Sequence, residues 1–136
     1  MKIFHCLLLF FVSFCSAQTI FISNCSSLQN MQINNSTVIY VLKNDIDCTN
    51  FPFFPIASTN QGFTGTLDGS GLSVINLTII CSNSYVGIFS YVCGGSIKNL
   101  CLQNFNVTGK PSASGSPYVG ALVGTCNFFF FCSQKL

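Results

Sequence analysis

Residues 85–93 read YVGIFSYVC, and residues 118–126 read YVGALVGTC. The two phrases share Tyr, Val, Gly and Cys at the same four places, at a constant offset of 33 residues. A second echo lies upstream, where residues 74–79 (VINLTI) return as residues 97–102 (IKNLCL) at an offset of 23. Repeated apolar positions with spacers of variable length are typical of solenoids, in which a stacked wall is constant and the loops vary.

Short β-branched and aromatic runs, separated by turn residues, occur along the chain. The clearest are residues 37–42 (TVIYVL) and 72–80 (LSVINLTII), with the turn-like DGSG at 68–71 just before the second. Helical periodicity is nowhere sustained beyond about one turn. A β-sandwich also fits such a pattern, but the offset phrases favour an all-β parallel β-helix of about three to four coils. The Gly-, Ser- and Pro-rich residues 106–117 then account for the longer second offset.

The offset of 23 makes a specific prediction about stacking between neighbouring coils. We expect one apolar set of residues to lie directly beneath the other, namely Val74, Leu77 and Ile79 beneath Ile97, Leu100 and Leu102. Asn76 and Asn99 each precede a repeated Leu, so they are expected to stack at one corner, where Asn tolerates a bend.

The N-terminus has the features of a secretion signal. Lys2 supplies a positive charge, residues 3–12 are almost wholly apolar, and small residues at 15–17 precede a predicted cleavage site before Gln18. The apolar stretch is shorter than the roughly 20 residues of a membrane span. The predicted organisation is a signal peptide at 1–17, a β-helix domain at 18–126 and an atypical tail at 127–136, whose NFFFFCSQKL sequence suggests truncation or mis-splicing.

Charged groups are scarce beyond the predicted signal. Three Asp and four Lys remain, with no Arg, Glu or Trp, and the single His lies at position 5. This composition offers no basic surface for nucleic acid. It excludes Ser-His-Asp and Cys-His nucleophilic sites in the mature chain. We therefore predict no catalytic residues, no cofactor and no metal site.

The three carboxylates, Asp45, Asp47 and Asp68, have two interpretations. Two of them are candidates for the acid and base of a glycosidase, or for a calcium site. The favoured interpretation is structural, because Asp side chains bond nearby amides at turns, and Asp45 and Asp47 alternate outward around Ile46. Similarly, the Phe residues among 51–54 (FPFF) are expected to form an apolar plug in preference to a sugar-binding shelf.

Two covalent modifications follow from a secreted location. Seven cysteines remain beyond the signal, and Cys93 and Cys126 close the two copies of the phrase, so we expect them to form a disulfide between neighbouring coils. Five asparagines lie in glycosylation sequons: Asn24, Asn34, Asn35, Asn76 and Asn106. Stacking of Asn76 at a corner would compete with a glycan there.

Residues 40–124, about 85 of the 136, resemble a known family. YVLKNDID at 40–47 is similar to its "Y-x-L-x-x-D-I-D" opening, and Pro55-Ile56 is similar to its "P-I". FTGTLDGSG at 63–71 matches "F-x-G-x-(F/L)-D-G-x-G", and INLTI at 75–79 matches the next strand. VGIF at 86–89 and VGALVG at 119–124 resemble the "G-L-(F/V)-G" element called the GLUG motif, although Ser90 replaces the last Gly of the first copy.

The resemblance implies a right-handed parallel β-helix of the pectin-lyase type in a secreted or surface-displayed, adhesin-like protein. Such a protein would have a non-catalytic binding or structural role, with an unknown carbohydrate or protein ligand, no nucleic acid and no transmembrane segment. The alternatives are a carbohydrate-active β-helix enzyme, a lyase or glycosidase in intact or degenerate form, and a non-functional fragment of a longer surface protein.

Overall fold

The computed structural model describes residues 16–57, 61–111, 115–127 and 132–134. Most of the predicted signal peptide lies outside these ranges. The first strand begins at Gln18, the residue that follows the predicted cleavage site. Within the predicted tail, Cys132–Gln134 forms a strand that pairs with residues 97–100, so this part of the tail continues the sheet.

The described residues form thirteen strands and one short helix, α1 (Cys25–Gln29). The strands are β1 (Gln18–Ile22), β2 (Val38–Leu42), β3 (Ile46–Asp47), β4 (Thr66–Asp68), β5 (Ser73–Ile75), β6 (Thr78–Cys81), β7 (Tyr85–Val86), β8 (Phe89–Cys93), β9 (Ser96–Gln103), β10 (Asn106–Gly109), β11 (Tyr118–Val119), β12 (Val123–Asn127) and β13 (Cys132–Gln134). The predicted all-β class is confirmed.

Strand pairing in the described part of the chain is parallel throughout. The largest sheet has the order β1-β2-β4-β9-β5-β3 with β13 beside β9, and three two-stranded sheets are β10-β6, β11-β7 and β12-β8. Two neighbouring parallel strands require a long connection between them. Between β6 and β10, the connecting chain contains strands of the other sheets. The long strand β9 is shared, because its first half pairs with β4 and its second half with β5.

The register corrects the stacking predicted from the offset of 23. Val74 pairs with Leu102, an offset of 28, and Ile97 pairs with Leu67, an offset of 30. Ile79 pairs with Val107, so none of the three predicted pairs is formed. The two similar phrases instead encode the same local structure at two different corners: Asn76 and Asn99 both have positive φ, and each is followed by a buried Leu.

The offset of 33 is confirmed at the start of the repeated phrase and lost at its end. Tyr118 pairs with Tyr85 and Val119 with Val86. The next strands pair at an offset of 34, because residues 120–122 contain one residue more than residues 87–88. Gly87 is required where the two phrases stack, since a Cβ there would lie 2.8 Å from the carbonyl oxygen of Gly120.

This one-residue slip is inconsistent with the predicted disulfide between Cys93 and Cys126. Cys126 is in register with Val92, which is buried, whereas Cys93 is in register with Asn127. Because successive side chains of a strand point to opposite faces, Cys93 and Cys126 point apart. Both are free thiols in the structure. Among the described residues, Cys25 and Cys48 form a disulfide, with their Cα atoms 5.4 Å apart.

The core is formed by inward-facing side chains of the strands and of the segments between them. Its largest members are aromatic: the ring centroids of Tyr40 and Phe63 are 6.4 Å apart, and those of Phe63 and Phe89 are 4.8 Å apart. All three residues are fully buried, and the hydroxyl of Tyr40 accepts a hydrogen bond from the Gln32 amide. Aromatic pairs at such distances contribute packing energy in addition to their buried area.

The short helix α1 is attached to this core at two points. Asn24 caps it by accepting a hydrogen bond from the Ser27 amide at 2.8 Å, and the Ser27 hydroxyl bonds back to residue 24. Leu28 is fully buried, and Cys25 carries the disulfide to residue 48. A helix of this length is marginal alone, so its stability comes from these tertiary contacts.

We predict that the Cys25→Ser/Cys48→Ser variant is less stable than the wild type by about 3 kcal/mol, because the bond constrains a loop of 23 residues in the unfolded chain. Urea unfolding monitored by circular dichroism measures the difference. The matched control is Cys93→Ser/Cys126→Ser, whose effect should stay below about 1 kcal/mol. Recovery of Cys93 and Cys126 in one linked peptide under non-reducing conditions would contradict the observed register.

Candidate functional site

The polar side chains that sequence reasoning singled out lie at the corners between strands. Ile46 is fully buried while Asp45 and Asp47 on either side are exposed, as the alternation predicted. Asp47 ends β3 and Asp68 ends β4. Each carboxylate accepts a hydrogen bond from a different backbone amide. We treat these corners and the surface between them as the candidate site.

Asp47 is the centre of the first corner. Its Oδ1 accepts hydrogen bonds from the Thr49 hydroxyl at 2.6 Å, the Thr49 amide at 2.9 Å and the Asn76 side-chain amide at 3.0 Å. These donors stabilise the ionised form, so the Thr49 hydroxyl first, and Asn76 after it, lower the pKa of Asp47 below its ordinary value. The carboxylate is thereby engaged in fixing the bend.

A ladder of side-chain hydrogen bonds connects this corner to the equivalent corner at the next strand pair. The Asn104 side-chain amide donates to the Asn76 Oδ1 at 2.5 Å. Asn76 and Asn104 both have positive φ, at 57° and 47°, a conformation that Asn tolerates better than most residues. The ladder therefore runs Asp47–Asn76–Asn104. The predicted stacking of Asn76 on Asn99 is wrong, although the predicted bend at each of them is confirmed.

Asn99 belongs to a second corner, formed with Asp68. The Asp68 Oδ1 accepts from the Ser70 amide at 2.9 Å and from the Asn99 side-chain amide at 3.1 Å, and its Oδ2 lies 3.4 Å from the Lys98 Nζ. Partial burial raises the pKa of Asp68, but the Ser70 amide, Asn99 and the Lys98 ammonium together outweigh it and lower the pKa below its ordinary value.

Asp45 serves a third group of contacts. Its Oδ1 accepts from the Ser73 amide at 2.8 Å, and the Ser73 hydroxyl accepts from the Gln103 side-chain amide at 2.8 Å. Across the described residues no three His, Cys, Asp or Glu side chains converge in a way that would hold a metal ion. Each carboxylate thus has the amide contact that the structural interpretation predicts, and the absence of an acid–base role stays a prediction.

The five sequon asparagines have different environments. Asn106 is exposed on β10, and its Oδ1 accepts from the Thr108 hydroxyl at 3.3 Å. Asn24 caps α1, Asn34 donates to Gln61, and Asn35 accepts from Thr37. Asn76 uses both ends of its amide in the corner ladder. Glycosylation at any of the five stays a prediction.

The apolar plug predicted at residues 51–54 is only partly formed. Phe53 is 4% exposed and packs in the core, as predicted. Phe54 is 65% exposed, which corrects the prediction for that residue. Phe54 lines a groove of about 420 Å³ whose other walls are formed by Cys48, Asn50, Phe51, Pro52, Phe53, Thr78 and Ile80. Sequence reasoning missed this groove, because it joins residues about 28 positions apart.

Two tyrosines of the repeated phrase form a second exposed feature. Tyr85 and Tyr118 stack with ring centroids 5.5 Å apart and an interplanar angle of 20°. They are 40% and 66% exposed, respectively. Their stacking follows from the in-register pairing of β7 with β11, and it places an aromatic surface on the outside of the molecule. Among the residues whose placement is described, no helix has the length and apolar character of a membrane span.

The corner contacts predict how stability depends on pH. Since the folded-state pKa values of Asp47 and Asp68 are lowered, their contribution is present at neutral pH and is lost as the pH falls through those values, below about pH 4. We expect the free energy of unfolding to decrease on acidification, and to decrease less in Asp47→Asn/Asp68→Asn. Urea unfolding at several pH values measures this.

Thr49→Val provides the matched control, because it keeps the Asp47 carboxylate and removes its shortest hydrogen bond. Carboxyl carbon NMR titration should show a higher pKa for Asp47 in this variant than in the wild type. An unchanged titration of Asp47 would mean that Thr49 does not stabilise its ionised form.

The chain is similar to one curated protein, over part of its length. It is 45% identical over 78 residues to Halomucin from Haloquadratum walsbyi (strain DSM 16790 / HBSQ001). The aligned region covers 55% of this chain and 1% of the length of that relative. No family model matches the sequence. No solved structure matches it either.

Proposed function

We propose that this chain is a secreted or surface-displayed, non-catalytic protein that folds as a right-handed parallel β-helix and acts by binding or as a structural element. In this arrangement each coil passes through the same sequence of strands and corners before it stacks on the previous one. The resemblance to GLUG-motif proteins, carried by residues 86–89 and 119–124, belongs to the same proposal.

Two features support the β-helix. Residues 46, 74 and 102 lie in successive register with one another, each 28 residues after the last, and residues 78–81 pair with residues 106–109 at the same offset. Stacked coils also bring side chains of neighbouring coils into contact at a shared corner, and the ladder of Asp47, Asn76 and Asn104 is such a contact.

The observation that carries the non-catalytic role is the use of the carboxylates. Asp45, Asp47 and Asp68 each accept a hydrogen bond from a backbone amide, those of Ser73, Thr49 and Ser70 respectively. Acid–base hydrolysis of a glycoside requires two carboxyl groups that flank one bond. Beyond residue 17 the chain has no His, Arg or Glu to replace them. The surface instead displays neutral polar side chains together with exposed aromatic rings, which suits contact with a carbohydrate or a protein.

An extracellular location has independent support. The Cys25–Cys48 disulfide suits an oxidising compartment, and the first residues have the pattern of a secretion signal. The partial similarity to Halomucin, whose name denotes a mucin, agrees with display outside the cell. Sequons on exposed residues such as Asn106 agree with it as well.

We expect the purified protein to be retarded in native gels that contain neutral polysaccharides, or retained by intact cell surfaces, and to release no sugar product from them. The measurement pairs affinity electrophoresis with assays for reducing ends and for unsaturated uronates. Protein that has been reduced and unfolded is the control for nonspecific retention. Release of product by the folded protein, abolished in Asp45→Asn/Asp47→Asn, would favour the carbohydrate-active enzyme instead.

A further inference from the structure

One edge of strand β6 is unpaired inside the structure. β6 pairs on one side with β10, where the amides of Asn106 and Lys110 donate to the carbonyls of Leu77 and Cys81. Backbone groups of successive strand residues point to opposite edges, so the N–H and C=O groups of Thr78 and Ile80 point away from β10. Within the described residues no hydrogen bond connects Thr78 or Ile80 to residues 48–57 on that side.

The segment beside this edge is unsuited to pair with it. β3 pairs with β5 just before, but residues 48–55 contain Pro52 and Pro55, which have no amide N–H to donate. Asn50 has a φ of 57°, which turns the chain away from an extended path. Parallel pairing resumes at Ile56, which bridges to Phe89. The strand that would cover the β6 edge is therefore replaced by a proline-containing loop.

The gap between this loop and β6 is the groove of about 420 Å³. Two exposed apolar side chains line it, Phe54 at 65% and Ile80 at 51% exposure. None of the residues that line it is charged. Exposed strand edges are often protected by charged residues. The residues that line this edge include no Lys.

We propose that the β6 edge binds an extended, uncharged segment of a partner polypeptide, which adds a strand at Thr78 and Ile80 and places apolar side chains against Phe54 and Ile80. The chemistry of the groove points to a polypeptide because it presents amide donors and carbonyl acceptors in alternation at strand spacing, the pattern that a peptide backbone complements. This inference rests on the proposed contact role and assigns it a place and a partner class.

The test uses the full mature protein and a fluorescent, acetylated and amidated hexapeptide, Thr-Val-Thr-Ile-Thr-Val. Fluorescence anisotropy should show saturable binding to the wild type. Ile80→Pro removes the free amide donor but no bond to β10, and edge strands tolerate Pro where its missing N–H would face solvent. Ile80→Pro and Phe54→Ala should each weaken binding about tenfold or more.

The matched control is Phe21→Ala, because Phe21 is 62% exposed and lies away from the groove. Its affinity for the peptide should stay within about twofold of the wild type. Circular dichroism and thermal unfolding establish that each variant is folded. A second control is the peptide Thr-Pro-Thr-Ile-Pro-Val, which cannot add as a strand and should not bind.

Peptide binding that is absent in the wild type, or equal in Ile80→Pro and the wild type, would overturn the proposal. Self-association of the wild type that is abolished by Ile80→Pro would assign the edge to a second copy of this chain, and would overturn the choice of partner. Polysaccharide retention is measured separately with the same variants, so loss of glycan contact and loss of strand addition are distinguishable.

Discussion

The structure depends on parallel strands held in register at sequence offsets that range from 20 to 35 residues. In such a register the inward-facing side chains of neighbouring strands pack on one another. Tyr40 pairs with Leu67 and Ile46 pairs with Val74, and all four side chains are buried. A one-residue slip reverses the faces of a strand, so register and burial determine each other.

The corners have a different requirement. Where the chain turns between strands, its backbone polar groups must either face solvent or find hydrogen-bond partners. Asn76, Asn99 and Asn104 adopt left-handed conformations there, and their side chains bond to Asp47, to Asp68 and to one another. These contacts engage the scarce carboxylates of the chain in structure. Hydrogen bonds between these Asn and Asp side chains fix the bends although the surface carries few charges.

The proposed function depends on the side chains and backbone groups exposed on the outer surface. Two surface features lie where neighbouring strands or loops stack. One is the pair of stacked rings of Tyr85 and Tyr118, and the other is the groove beside β6. A loop with two prolines takes the place of a strand between residues 48 and 55, so that within the described residues the outer backbone groups of Thr78 and Ile80 have no bond to that loop. Under the proposed contact role, such an edge would bind a partner through backbone hydrogen bonds, and the apolar walls would supply selectivity.

The local features could be predicted from the amino-acid sequence: the all-β class, the outward alternation of Asp45 and Asp47 around Ile46, and the bends at Asn76 and Asn99. These follow from short-range conformational preferences, which act within a few residues. The three-dimensional arrangement was needed to establish which repeat stacks on which, that Cys25 pairs with Cys48, and that Cys93 and Cys126 point apart. Register is set by the length of chain between stacked strands and by burial across them, and similar local phrases recur at corners that never meet.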